Sequence, residues 1–412
     1  MRIAITNWSR RLVGGVENYL ESVIPWLVQA GHDVAFWHEV DAPTDRDPIG
    51  CPVAVPRVCI ADAGEAEALA ALRAWHPDLV YVHGLLDPHL ESQVLEIAPS
   101  VFFVHAYYGM CISGAKTFTR PNVSPCSRVF GWPCLIHYFP HGCGGRSPVT
   151  MFREYQRQSQ RLALLRRYDA IVTHTGHMRA ELAKHGLAAT QVIFPVRGST
   201  APHRSSLDGP WRLLFVGRMD RLKGGRVLLD ALSVVRTRSD HPVHLTLAGD
   251  GPERGRWEQQ AACLMHGTEG VQVTFTGWVA QAGLDRLMDE ADLLVVPSLW
   301  PEPFGASGPG AGKRGLPAAA FAVGGISDWL VDGVSGCLAP GNPATAGGLA
   351  DAIVKCLADP VVYARLQAGA AEVARRFSMD AHLGSLLEIF SAVCARARAR
   401  RLNATVITKV GT

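Results

Sequence analysis

Four side chains suited to handling an anionic leaving group sit in loops that follow short apolar runs. They are His105 in FFVHAYYG, Arg218 and Lys223 in FVGRMDRLKGG, and Glu302 in PSLWPEPFG. Arginine offers a fixed fork of donors to phosphate oxygens and lysine a mobile point charge, so Arg218 and Lys223 together can neutralise a departing diphosphate. Gly14 and Gly15, in NWSRRLVGGVENYL, precede a segment of helical spacing. Two glycines let backbone approach a ligand, and the helix start supplies free N–H groups and partial positive charge. Beyond Glu302, Ser307 fits an N-cap and Pro309 a first helical turn, which makes a third anion-binding helix start.

These loops need a scaffold, and the apolar pattern supplies one. RIAIT, DVAFW, LVYVH, SVFFVH and AIVTHT in the first half, then RLLFVG, HLTLAG, VTFTG, LLVVPS and PAAAF in the second, read as buried parallel strands alternating with helices. Right-handed crossovers then give two doubly wound α/β domains of Rossmann-like type. The Pro-, Gly- and Ser-rich stretch PVRGSTAPHRSSLDGPWR lacks apolar period between Arg197 and Gly209 and marks the linker. The expected domains are 1–198 and 199–379, with an insertion at 106–150 and a C-terminal helix at 380–405. Ligands of such sheets bind beyond the carboxyl ends of the strands, here in the cleft between domains.

With 412 residues, 48% of them hydrophobic, the chain can bury two cores. No apolar run reaches the roughly 18 residues of a membrane span, and MRIAIT reads as a strand rather than a signal peptide, so a cytoplasmic location is expected. A formal charge of +3 is too small to argue for nucleic acid. The basic run RARARR at 396–401 reads as a solvated last helical turn, and 403–412 as a mobile tail. No stretch stands out as a membrane-surface helix, which favours a soluble acceptor.

As a set, GGVENYL, VGRMDRLKGG, LTLAGDGPER, VTFTGWV, ADLLVVPSLWPEPFG, GLP and GGISDWLVDGVSG resemble, in order along almost the whole chain, the retaining glycosyltransferases of family 4, which have the GT-B fold. The resemblance implies that Arg218 and Lys223 hold a donor diphosphate, that the Gly14–Gly15 loop closes over it, and that His105 lies near donor sugar and acceptor. It further implies that Glu302 touches the donor sugar and phosphates and that Trp278 and Val279 contact the base. Gly217, Phe304, Gly305, Ala306, Ser307 and position 310 complete the implied donor site. Catalysis would then need no bound metal, because cations and helix starts stabilise the leaving oxygen while the sugar gains oxocarbenium character.

One residue departs from the family pattern. The family places a second glutamate after seven intervening residues, to grip the ribose, and this chain has Gly310 there. Four explanations stand: a donor whose ribose is held differently or lacks a hydroxyl, a ribose bound through backbone or water, a homologue that binds without turnover, or an engineered chain. Gly308, Gly310 and Gly312 each cost an exposed helix about 1 kcal/mol against alanine, so this helix is expected to be locally unstable. Lys313 and Arg314 are expected to face solvent, with contact to an additional phosphate as the alternative.

The insertion carries Cys111, Cys126, Cys134 and Cys143. In a reducing compartment these read as a structural zinc site, with disulfides or unlinked thiols as alternatives. Its aromatic residues, Tyr107, Tyr108, Phe130, Trp132, Tyr138 and Phe139, can stack on an acceptor or pack within the loop. The expectation is an enzyme moving a sugar from a UDP-, GDP-, ADP- or dTDP-linked donor to an unidentified hydroxyl or amine. A weakened sugar-nucleotide-binding homologue, or an epimerase or phosphorylase on the same fold, are the alternatives.

Overall fold

The computed structural model describes residues 1–196, 207 and 209–410, with side chains described through residue 403. The first sheet contains β1 (Arg2–Ser9), β2 (Asp33–Val40), β3 (Arg57–Cys59), β4 (Leu79–Val82) and β5 (Ser100–Phe103). The insertion then forms a two-stranded antiparallel hairpin, β6 (Thr117–Phe118) with β7 (Ser124–Pro125), before β8 (Ala170–Thr173) and β9 (Thr190–Gln191) complete the sheet. Its seven strands run in the order β3-β2-β1-β4-β5-β8-β9, all parallel.

The second sheet has six parallel strands, β10 (Trp211–Val216), β11 (Val243–Ala248), β12 (Val271–Gly277), β13 (Leu293–Val296), β14 (Ala318–Phe321) and β15 (Gly336–Ala339), in the order β12-β11-β10-β13-β14-β15. In both sheets the first strand of the domain lies inside and the chain winds outwards in two directions. β4, β5, β13 and β14 are buried at every residue, as strands covered by helices on both faces must be.

All ten strands expected from apolar runs are present, and this is the two-domain GT-B architecture. The short edge strands β3, β9 and β15 were not expected; β9 is exposed at both residues and has no apolar pattern to read. The expected boundary at 198/199 and most of the linker fall outside the described residues.

The last helix, Met379–Val410, returns to the first domain. Leu386, Phe390 and Val393 are buried, with the Phe390 ring 5.0 Å from that of Tyr81. Its basic run is used within the chain: Arg398 pairs with Asp78 at 3.5 Å and Arg400 with Asp169 at 3.1 Å. The stretch read as a tail continues the helix backbone to Val410, and 411–412 lie outside the described residues. Among the described residues no helix is long and apolar enough to cross a membrane.

Candidate active site

Two adjoining compartments occupy the cleft between the domains, sharing Gly15, Asn18, Phe194, Val216, Ala306 and Ser307 in their walls. The larger, of about 410 Å³, is lined by His105, His174, Gly217, Lys223, Ser298 and Glu302, with Phe304, Gly305, Ala306 and Ser307 also on the second-domain side. The smaller, of about 230 Å³, adds Gln281, Leu284, Asp285, Met288 and Gly310.

Lys223 stands at the end of a tight turn, Arg221–Lys223, that follows β10. Asp220 caps this turn by accepting from the N–H of Leu222 at 2.9 Å and of Lys223 at 3.2 Å. Gly224 closes it at φ 73°, where a Cβ would stand 1.8 Å from the Pro297 carbonyl oxygen, so only glycine fits. Lys223 Nζ donates to Glu302 Oε1 at 2.6 Å, and Ser298 Oγ donates to the same oxygen at 2.5 Å. Glu302 is only 4% exposed and faces the cavity. Both side-chain bonds fall on Oε1, which leaves Oε2 as the acceptor available to a ligand.

The loop that carries Glu302 is held at four successive carbonyls. Tyr107 Oη donates to Pro301 O at 2.6 Å, the Gly325 N–H to Glu302 O at 2.6 Å, Thr175 Oγ1 to Pro303 O at 2.9 Å, and Trp329 Nε1 to Phe304 O at 2.6 Å. Gly324, at φ 59°, lets the backbone pass where a Cβ would lie 2.3 Å from Glu302 O. Two of the four donors, Tyr107 and Thr175, belong to the first domain. The position of the acid therefore depends on both domains.

The opposite wall is a group of neutral histidines. His105 Nε2 and His83 Nδ1 are 2.9 Å apart. Burial, reinforced by His83, His174 and His382, holds His105 well below the ordinary histidine pKa. Burial and the neighbouring His382 push His83 and His174 each down to about 3, and burial alone pushes His382 down to about 4. From the C-terminal helix, His382 Nδ1 donates to Ile193 O at 2.6 Å, so its Nε2 accepts from Tyr19 Oη at 2.7 Å, and Tyr19 in turn accepts from Tyr81 Oη at 2.7 Å. This wall offers hydrogen bonds rather than charge at neutral pH.

Other expected residues lie elsewhere or behave differently. Arg218 is exposed, its guanidinium has no hydrogen-bond or ion-pair partner among the described residues, and it does not line either compartment. Trp278 is 63% exposed, with the Arg46 guanidinium 4.9 Å from its ring centre, and Val279 packs against the core. Neither residue is among those lining the two compartments, and the smaller one is lined instead by Gln281, Leu284, Asp285 and Met288 of the helix Gln281–Glu290. Gly14 is the N-cap of the helix Gly15–Gln29, and its N–H is taken at 2.9 Å by Glu17 Oε2. Gly15 has nothing within 4 Å of a Cβ position and faces the cleft.

Ser307 is the first residue of a six-residue helix, Ser307–Gly312, and not its N-cap; that place falls to Ala306, which makes no side-chain cap bond. Packing accounts for two of its glycines. A Cβ on Gly308 would stand 2.1 Å from the Trp329 ring, and one on Gly312 would stand 3.0 Å from Ala370 O. Gly310 has no such neighbour: the closest atom is Val196 Cγ1 at 3.6 Å. Lys313 and Arg314 do not face solvent. Lys313 Nζ donates to Val196 O, and the buried Arg314 pairs with Asp285 at 3.2 Å and Asp289 at 2.7 Å.

The insertion does not present the expected zinc site. Among the described residues no group of three or more His, Cys, Asp or Glu could hold a metal ion. The cysteines are unlinked; Cys111 is buried, and Cys126, Cys134 and Cys143 are half-buried. Burial first, then the neighbouring thiols, raises the pKa of Cys126 and Cys134, and that of Cys143 to about 12. Tyr107 is fully buried and serves the Glu302 loop rather than an acceptor.

Sequence reasoning missed Ser298, Thr175, His174, His382, Gln281 and Asp285. Ser298 was visible as the residue following LVVP at the end of β13; His174, Gln281 and Asp285 reach the cleft, and Thr175 and His382 brace residues behind it, only through tertiary packing.

Comparison with known proteins places these residues in a family. A model described as glycosyl transferases group 1 matches residues 210–359, and one described as glycosyltransferase family 4 matches 13–195. The chain is 32% identical over 362 residues to D-inositol 3-phosphate glycosyltransferase of Salinispora tropica, covering 84% of this chain and 70% of that protein. It is 25% identical over 408 residues to glycogen synthase of Mycobacterium tuberculosis, covering 89% and 88%. The structure of HepE from Anabaena with UDP and glucose superposes with a TM-score of 0.65 at 18% identity, over 95% of this chain and 99% of that one.

Proposed function

The chain belongs to the group 1, family 4 glycosyltransferases, and from that premise we propose that it transfers a glycosyl group from a nucleoside diphosphate to an acceptor hydroxyl or amine with retention of configuration. The carrying observation is the Lys223–Glu302 pair, set in the cleft on a loop whose four carbonyls are fastened. As the bond from the anomeric carbon to the phosphate oxygen breaks, charge grows on that oxygen; Lys223 Nζ is the cation in reach, and the open face at Gly15 adds backbone dipoles. Glu302 Oε2 accepts from a donor-sugar hydroxyl. The acceptor oxygen enters on the face the diphosphate leaves, and its proton passes to the leaving phosphate oxygen. No metal takes part in this scheme.

The smaller compartment suits the nucleoside. Leu284, Met288 and Val216 supply apolar walls, and Asp285 brings a carboxylate to the compartment where position 310 supplies none. Asp285 is held by Arg314 and by Gln281 Nε2 at 2.9 Å, which fits it to accept ribose hydroxyls in place of a glutamate. HepE was solved with UDP and glucose, and the two relatives carry different names, glycogen synthase and D-inositol 3-phosphate glycosyltransferase, so the donor class, UDP-, GDP-, ADP- or dTDP-linked, and the acceptor are decided by assay.

Gly310 favours a second reading, donor binding without turnover. Incubating the protein with each nucleoside diphosphate glucose and following nucleoside diphosphate release separates the two. Release from one donor, with water or an added alcohol or amine taking the glycosyl group, and suppressed in Lys223→Ala, is expected; binding without release in the presence of those acceptors would favour the second reading.

A further inference from the structure

We propose that the insertion lobe is a docking surface for an anionic lipid bilayer. Its apolar side chains divide between two faces. Cys134, Leu135 and Tyr138 turn inwards on a small core with Ile112, Phe130 and Met151, while Trp132 at 67% and Ile136 at 60% exposure, with Phe139 after them, fall at helical spacing on the outer side. The helix Pro148–Leu165, packed against that lobe, does the same: Met151 and Tyr155 turn inwards and Val149 at 76% and Phe152 at 53% turn outwards.

Such a cluster on a monomer marks an interaction site, and its charge says with what. Between Glu96 and Glu154 the sequence holds Lys116, Arg120, Arg128, Arg146 and Arg153 and no acid. Lys116 is buried and neutralised by Glu181 at 3.1 Å, whereas the four arginines are exposed. Only Arg153 has an acid near it, Glu154 at 3.8 Å. An exposed Trp, Phe and Ile surface on a lobe that carries four exposed arginines against one partly exposed acid, Glu154, complements an interface of acyl chains under anionic headgroups, where tryptophan and arginine are both favoured. The basic run at 396–400 is different, since its arginines are engaged by Asp78 and Asp169.

The lobe begins directly after His105 and touches the donor domain through Arg221 Nη2 to Thr119 O at 3.3 Å. Docking there would set the cleft beside the bilayer.

The test is cosedimentation of the full chain with vesicles of phosphatidylcholine alone or mixed with phosphatidylglycerol. Binding to the anionic vesicles only is expected, lost near 1 M salt, where the Debye length is about 3 Å. W132S/I136S is expected to abolish it. R128A/R146A is expected to weaken it roughly fivefold per arginine removed. Both variants alter exposed positions, and unchanged melting curves would show that they fold. Absence of binding to anionic vesicles, equal binding to neutral ones, or binding indifferent to both variants would overturn the proposal. So would a dimer in solution that W132S/I136S converts to monomer, because the patch would then belong to a second copy of the chain.

Discussion

Glu302 and Gly310 sit on one short segment yet are held by different physics. Every carbonyl from Pro301 to Phe304 has a donor, and the acid between them is gripped by Lys223 and Ser298. Gly310 touches nothing that a side chain would displace, whereas Gly308 and Gly312 on either side are required by Trp329 and Ala370. The first position is determined by its surroundings and the second is left open by them. Residue identity at 310 is thus free to follow the ligand.

The comparison is broken most severely at its fixed end. Lys223→Ala is expected to lower kcat by about 10²- to 10³-fold, the scale of losing one preorganised charge stabiliser, with a smaller change in KM. Unchanged kcat would remove Lys223 from the chemistry. Tyr107→Phe takes the donor from Pro301 O and the acceptor from His177, and is expected to cost about 1 to 3 kcal/mol in denaturant unfolding together with a loss of kcat. A stability loss with kcat intact would make Tyr107 a packing residue only. Gly308→Ala should cost about 1 to 3 kcal/mol through overpacking against Trp329, while Gly310→Ala should be neutral or gain up to about 1 kcal/mol. Equal costs at the two positions would remove the distinction.

Acid provides a test of the histidine wall. His83, His105, His174 and His382 have folded pKa values below the ordinary 6.5, so below that pH the unfolded chain binds protons that the folded chain refuses. Their contribution is complete above about pH 6.5 and is lost as pH falls from there towards about 3, the folded value of His83 and His174. Melting temperature should drop steeply over that interval, and a flat profile would mean that the wall is open to solvent.

Much of the fold was legible because buried parallel strands are continuous apolar runs, and β4, β5, β13 and β14 carry no polar interruption except Ser100. The edge strands were not, since pairing alone makes them. Within the site, Lys223 and Glu302 were legible as charges at strand ends. Arg218 shows the limit of that reading: the same loop and the same charge leave it in solvent, because no acid comes within reach. The sequence leaves Tyr107 to stack on an acceptor or pack within the loop, and nothing in its neighbours along the chain shows that Pro301, far away in sequence, takes its hydroxyl. The glycines of 308–312 read as a weak helix until the indole of Trp329 gave one of them a reason. The cysteines were close enough in sequence to suggest a metal, but their burial as thiols is a property of the folded lobe.

The most direct measurement is calorimetric titration of UDP, GDP, ADP, CDP and dTDP into the wild-type protein, Lys223→Ala and Asp285→Asn. One nucleoside diphosphate should bind, weaken at least tenfold without Lys223, corresponding to about 1.4 kcal/mol, and weaken again without Asp285. If none binds, or if binding ignores Lys223, the cleft described here is not a nucleotide-sugar donor site.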